Sequence, residues 1–286
     1  MRVLIVGSDN ALGQELHSIL LHQGRLDVVA LASPDCRWKS ERQVKKALRR
    51  ADCELLVDTR ILASADGSEQ LHDLDIDRTN WLARICQRDG IGYIYLSSAR
   101  LFSGSVERQY TEDDYPDSED TLGELLLWCE GAVRDSCERH LLLRLGPVLS
   151  HRGENAFTRM LNQIMQGGTL SLDSQQRGCP VAASDAARIV AGLLDQLSAG
   201  AEVWGIYHYG SSDVTNCFEF AEVLLATASG YAQCNADQVE LTRVMGGGNP
   251  VNRILDCTKI SNTFAIKQVS WRNAIAGNIK QYFEPV

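Results

Sequence analysis

The chain is predicted to be an α/β protein built on a doubly wound parallel sheet, with a smaller C-terminal lobe interleaved into it. Three observations predict this. An apolar run at the N-terminus leads through a glycine turn into a helical pattern, strand and helix patterns then alternate through the first half, and the last third is less regular yet follows no linker. The expected division is a Rossmann-like, dinucleotide-binding domain over residues 1–150 and a substrate-type lobe over residues 151–286.

Taken in order, Val3-Leu4-Ile5-Val6 reads as a buried strand, Gly7-Ser8-Asp9-Asn10-Ala11-Leu12-Gly13 as a tight turn, and Glu15–Leu21 as a helix. A turn written G-x-x-G-x-x-G reverses the chain sharply and lets a pyrophosphate approach the free N–H groups of the helix. Gly7 and Gly13 fit that form. Asn10 replaces the middle glycine, tolerating positive φ better than other side chains but crowding the phosphate, and Asp9 adds a negative charge. Asp27–Leu31 is the second strand. Arg42 to Arg50 forms a helix whose Val44 and Leu48 face inward, while Arg42, Lys45, Lys46, Arg49 and Arg50 share the outer face. That face is either a solvated surface or a contact for an acidic protein partner. Strands over Glu54–Asp58, Gly92–Ser97 and Leu141–Leu145 alternate with helices over Asp77–Arg88 and Glu124–Arg139. A loop with Gly146-Pro147 and a helix over Phe157–Met165 lead into the lobe.

With 286 residues, 44% hydrophobic and 23% charged, the chain can bury a substantial core. No apolar stretch approaches the roughly 20 residues of a membrane span, and the chain opens directly on a core strand, so a cytoplasmic protein is expected. A net charge of −9 argues against nucleic acid or an anionic membrane as partner. The nine cysteines form no C-x-x-C pair, which points to buried thiols rather than a metal site or disulfides.

Further motifs recur in order along the chain: Ser97-Ser98-Ala99-Arg100-Leu101-Phe102 after a strand, and Leu122-Gly123-Glu124-Leu125-Leu126-Leu127-Trp128-Cys129-Glu130 opening a helix. They continue with Leu143-Arg144 before Gly146, Gln176-Arg177-Gly178-Cys179-Pro180, Gly205-Ile206-Tyr207-His208, Phe218-Glu219-Phe220-Ala221, Asn249-Pro250-Val251-Asn252 with Leu255-Asp256, Lys259-Ile260 and Trp271-Arg272. In this set the chain resembles the dTDP-4-dehydrorhamnose reductase family of extended short-chain reductases. The resemblance implies hydride transfer to a sugar ketone, with a tyrosine as proton donor and a lysine one helical turn away lowering its pKa. Those two positions are Leu122 and Leu126, while Ser98 stands where a hydroxyl would orient the carbonyl. Tyr110 and Tyr115 flank an acidic stretch that raises a phenol's pKa, so neither makes a good substitute.

By the same resemblance, cofactor contacts fall on Gly7, Asn10, Ala11, Leu12, Gly13, Ser33, Arg37, Thr59 and Ser97. Ala32 and Ser33 follow the second strand where an NAD site would carry an acid, and Arg37 lies just beyond, which favours NADP over NAD. Binding is expected to be weak or absent, because Asp9 opposes a pyrophosphate and Arg60 is placed to fill the groove. Ser98, Arg60, Arg100, Arg144 and Arg177 are the expected ligand pocket. Three functions stay open. The first expected is a non-catalytic member of the family, a regulatory, nucleotide-binding or partner-binding subunit like the regulatory subunit of methionine adenosyltransferase that the family includes. The others are an NADP-dependent reductase of a nucleotide-linked 4-keto sugar and a small-molecule sensor.

Overall fold

A computed structural model of the protein describes residues 1–65, 72–245 and 251–284; Asn249-Pro250 of the quoted motifs lies outside them. The central sheet holds β1 (Arg2–Val6), β2 (Asp27–Leu31), β3 (Leu55–Asp58), β4 (Gly92–Ser98) and β5 (His140–Leu145). The connecting helices are α1 (Ala11–Gln23), α2 (Glu41–Ala51), α3 (Arg60–Ala65), α4 (Asp73–Asp89) and α5 (Thr121–Ser136). Then follow β6 (Val148–Leu149), α6 (Ala156–Gln166), β7 (Gly168–Asp173), β8 (Gln176–Gly178), β9 (Val181–Ala182) and α7 (Ala183–Ser198). The remainder is β10 (Gly205–Tyr209), β11 (Thr215–Asn216), α8 (Cys217–Ala228), β12 (Val239–Val244), β13 (Val251–Arg253), α9 (Thr258–Phe264) and α10 (Arg272–Phe283).

The six-stranded sheet is parallel throughout, in the order β10-β5-β4-β3-β1-β2. Its winding reverses between β1 and β3, so a crevice opens beyond their carboxyl ends, the position at which such sheets bind ligands. β10 comes from the last third of the chain and pairs with β5, which ties the lobe's segment into the first sheet. Because both faces are covered, the strands are continuous apolar runs: Val3 to Val6 and Leu55 to Val57 are all buried. One layer gathers Leu12, Leu16 and Leu20 of α1 with Ile189, Val190 and Leu193 of α7. The opposite layer gathers Val44, Leu48, Leu82, Cys86, Leu126 and Val133 from α2, α4 and α5. The lobe has its own core, in which Phe157 and Leu161 of α6 meet Phe220 and Leu224 of α8 and Ile275 and Ile279 of α10.

Three helices differ from their sequence reading by three residues or more at an end, and the first, α1, starts at Ala11 rather than Glu15 because Asn10 caps it there. α4 starts at Asp73, four residues early, because His72 and Asp75 close a reciprocal capping box there. α5 stops at Ser136 rather than Arg139, since Cys137 is already extended and β5 begins at His140. Among the described residues no helix is long and apolar enough to cross a membrane.

Candidate active site

Where the sheet's winding reverses, Gly7 has φ of +81°, and a Cβ there would lie 2.7 Å from Thr59 Oγ1 and 3.0 Å from the Arg60 nitrogen. A side chain at Gly13 would meet the Gly7 carbonyl at 2.4 Å. Both glycines are therefore required for β1, the turn and β3 to close up. Asn10 departs from expectation: it is extended, with φ of −76°, and serves as the N-cap of α1 by accepting from the Gly13 amide at 2.8 Å. Its Nδ2 donates to the Thr59 carbonyl and to Thr59 Oγ1, so the amide is tied back to β3. Asp9 is likewise engaged, accepting from the Ser33 amide and hydroxyl, each at 2.6 Å. Arg37 is exposed beyond it, and Ser97 is buried at the end of β4.

Beside this turn a cleft of about 140 Å³ is lined by Asp9, Asn10, Ala11, Leu12, Val148, Arg152 and Asn155, among others. The positive end of α1 and the Arg152 guanidinium favour an anion in that cleft, against the Asp9 and Glu154 carboxylates that share its lining. Arg152, held by Gln14 at 2.8 Å, comes from the loop after β6 and was missed by sequence reasoning.

Arg60 does not fill the groove. Its guanidinium is drawn into the layer of α2 and α4, where it pairs with Asp58 at 2.6 Å, donates to Thr79 at 3.3 Å and lies under the Trp38 ring at 5.8 Å. Asp58 also accepts from the Tyr93 hydroxyl at 2.8 Å. Arg144 is no pocket residue either, being 1% exposed and bound through Nε and Nη2 to Glu130 at 3.0 and 2.7 Å. Phe102 lies 5.3 Å from that guanidinium and stacks on Tyr110 at 4.0 Å. His208 closes the group, its Nδ1 facing the Tyr110 carbonyl at 3.1 Å; burial and then Arg144 push the imidazole down to about 3, so it is neutral.

A second, larger cavity of about 370 Å³ lies beyond the carboxyl end of β4, between the sheet and the lobe. Ser98, Arg100 and Arg177 of the expected pocket line it, together with Arg159, Arg253, Gln176, Asn216 and Cys217. Sequence reasoning missed Arg159 and Arg253. Neither carries a local signal, since the first sits on α6 and the second on β13, and only the fold brings them together. Among the described residues, four guanidiniums and no carboxylate line the cavity. Asp120, the N-cap of α5, stands behind two of them, 3.6 Å from Arg100 and 3.9 Å from Arg253.

The Glu130–Arg144 pair fixes the register of α5 and with it the two leucines. Leu126 is fully buried in the apolar layer with Leu101, Cys129 and Val133, and Leu122 packs half-buried against the same layer. Gly123 lets the helix start approach the chain after β4, because a Cβ there would meet Ser118 Oγ at 2.2 Å and the Arg100 carbonyl at 3.1 Å. Tyr110 is buried with its hydroxyl accepting from the Gly104 amide, and Tyr115 is 78% exposed. The cations Arg42, Lys45, Lys46, Arg49 and Arg50 line the outer side of α2, away from both cavities.

Fold and cavities together define a Rossmann-like α/β protein with open cavities at the sheet's reversal point and beside the lobe. The chain belongs to the RmlD substrate binding domain family, which it matches over residues 1–283. It is 23% identical over 295 residues to the dTDP-4-dehydrorhamnose reductase of Aggregatibacter actinomycetemcomitans, covering 99% of both chains. With the enzyme of the same name from Sinorhizobium fredii the identity is 24% over 288 residues, 96% of this chain and 95% of the other. The crystal structure of dTDP-4-dehydrorhamnose reductase from Bacillus anthracis in complex with NADP superposes with a TM-score of 0.81 at 19% identity, covering 98% of each chain.

These matches overturn the expectation of a non-catalytic, regulatory subunit. Relatives that run the length of the chain are named as reductases, and so are solved neighbours. The physical error lay in weighing two side chains as though they were the whole reaction. Losing a general acid and its cationic partner removes about 10²–10⁴-fold in rate, one contribution among several.

Proposed function

We propose that this chain is an NADP-dependent oxidoreductase that reduces the ketone of a nucleotide-linked 4-keto sugar. The cavity beyond β4 carries this reading: it sets the Ser98 hydroxyl and four guanidiniums, with no carboxylate among the described lining residues, next to the crevice at the sheet's reversal point. A nucleotide-linked sugar brings a diphosphate, which forked guanidinium donors bind well.

The glycine turn fits a dinucleotide. The close approach of Gly7 and Gly13 to main chain keeps the turn compact beside Ala11 and Leu12 at the start of α1, and Arg152 adds a cation to the same cleft. Residues Gly7 to Gly13 with Arg152 would hold the pyrophosphate, and Ser33 with Arg37 would meet the adenosine end. When bound, the cofactor supplies the hydride. Asn10 and Asp9 still line the cleft but are tied to Thr59 and Ser33, which fixes their side chains in place.

On the substrate side, Arg159, Arg177 and Arg253 bind the diphosphate and Ser98 donates to the carbonyl oxygen. Leu122 and Leu126 pack into the apolar layer of α5, outside the cavity's lining, and contribute no proton, so the alkoxide takes its proton from solvent. The reading therefore includes slow chemistry. Purified protein given NADPH and dTDP-4-dehydrorhamnose should consume both in a one-to-one ratio, at a rate about 10²–10⁴-fold below that of a reductase with the tyrosine and lysine in place. NADPH oxidation no faster than without protein refutes the reading.

A further inference from the structure

We propose that Asp9 sets how this chain distinguishes the two nicotinamide dinucleotides: its carboxylate takes the hydrogen-bond donors a 2′-phosphate would use and lowers affinity for NADPH to no more than that for NADH. The assignment rests on the reductase reading given above. That reading keeps NADPH as a cofactor, and Asp9 removes its advantage.

The main chain fixes where Asp9 stands. The Gly7 and Ser8 amides both donate to the Leu31 carbonyl, at 2.9 and 3.0 Å, so the glycine turn lies across the end of β2. Gln14 Nε2 donates to the Asp9 main-chain carbonyl at 2.6 Å and holds the residue from the other side. In dinucleotide folds the end of the second strand reads the adenosine ribose, through an acid that accepts from the 2′-hydroxyl or through groups that meet a 2′-phosphate. Here that strand ends without an acid, in Leu31 and Ala32 before Ser33. Asp9 supplies one from the neighbouring turn.

Its carboxylate leaves Ser33 nothing to offer a phosphate. The Ser33 amide and hydroxyl both donate to Asp9 Oδ1, each at 2.6 Å, and a serine has no other hydrogen to give. Oδ2 accepts from no described residue, so it is left to accept from a ribose hydroxyl. Asp35 and Arg37, both exposed beside Ser33, bring one charge of each sign, and Asp9 tips the local balance to negative. A 2′-phosphate therefore meets a like charge and finds its nearest donors taken, whereas a 2′-hydroxyl gains an acceptor.

The test compares wild type, D9A, D9N, S33A and the D9A/S33A double variant in the full chain, with folding checked by circular dichroism. Calorimetry gives the Kd for ADP-ribose and for 2′-phospho-ADP-ribose, probes that carry the adenosine end alone and need no turnover. Wild type should bind the phosphorylated probe no more tightly than the plain one. D9A should tighten the phosphorylated probe about 10-fold and bind ADP-ribose equally or more weakly, since a like charge leaves and two donors are freed. D9N keeps an acceptor for Ser33 while losing the charge, and should give about 3-fold. S33A should leave the phosphorylated probe unchanged in the wild-type background and remove part of the gain in D9A, which a merely structural Asp9 would not produce. A ratio of the two Kd values that is the same in D9A and wild type overturns the assignment, as does failure of every variant to bind either probe. An Asp9-dependent ratio in a protein that turns over no dTDP-4-dehydrorhamnose sinks the reductase reading and leaves the assignment standing. Turnover with an unchanged ratio does the reverse.

Discussion

Replacing Leu126 by lysine restores the residue type that the family's chemistry asks for, and the surroundings of Leu126 predict that the chain resists it. Leu126 has 0% exposure in a layer of aliphatic, aromatic and thiol side chains from α2, α4, α5 and the sheet. Burial disfavours the charged form and can lower a lysine's pKa by ~3–5 units from ~10.4. A lysine driven below 7 in the folded chain costs ~4–5 kcal/mol at pH 7, at about 1.36 kcal/mol per unit. With the folded pKa below the unfolded one, the unfolded chain holds the extra proton between the two values. Stability is therefore lowest on the acid side of that window and rises by ~1.36 kcal/mol per pH unit from about pH 7 to 10. Urea unfolding of L126K at pH 7, 8 and 9, followed by tryptophan fluorescence with L126M as the size-matched control, measures this. An L126K midpoint equal to that of L126M and flat with pH would refute the reasoning, since it places residue 126 against water and reopens the helix face to the cofactor.

Other consequences follow from the same geometry. L122Y places a phenol at the half-buried start of α5 and should raise kcat by about 10-fold or more, since a positioned acid is worth ~10²–10⁴ when its cationic partner is also present; steady-state kinetics reads this. E130Q leaves Arg144 buried without its counter-charge and should lower stability by ~3–5 kcal/mol in urea unfolding. His208, held down to about 3, stays neutral while the unfolded chain's imidazole protonates near 6.5, so stability falls as pH drops from 6.5 towards 3, and H208Q should flatten that limb of a stability profile. R152A should weaken NADPH binding several-fold by fluorescence titration while leaving dTDP affinity unchanged, because Arg152 lines the glycine-turn cleft alone among the cavity arginines.

The architecture was legible because both layers of the sheet impose patterns that a sequence displays. Val3 to Val6 and the outward cations of α2 announce their elements by burial period alone. The lobe was not, since β6, β9 and β11 are two residues long and β8 and β12 are largely exposed and polar, so pairing across distant segments defines them. For the arginines, the residue type was informative and the partner was not. Arg144 finds Glu130 fourteen positions back, which only packing of α5 on β5 creates, whereas Arg60 beside Asp58 at the end of a buried strand was a local signal that could have been read as an ion pair. Arg152, Arg159 and Arg253 were invisible for the opposite reason, lying in loop, helix and short strand with nothing nearby to set them apart. Asn10 shows a subtler limit: its tolerance of positive φ suggested one role, but the helix start beside it offered a better one as a cap.

Reduction of dTDP-4-dehydrorhamnose with NADPH carrying deuterium at the transferring position is the most direct measurement of all. Slow appearance of a dTDP-6-deoxyhexose bearing one deuterium on the former carbonyl carbon, faster with L122Y, is the predicted result. Unlabelled sugar recovered intact after prolonged incubation with stoichiometric protein would contradict it.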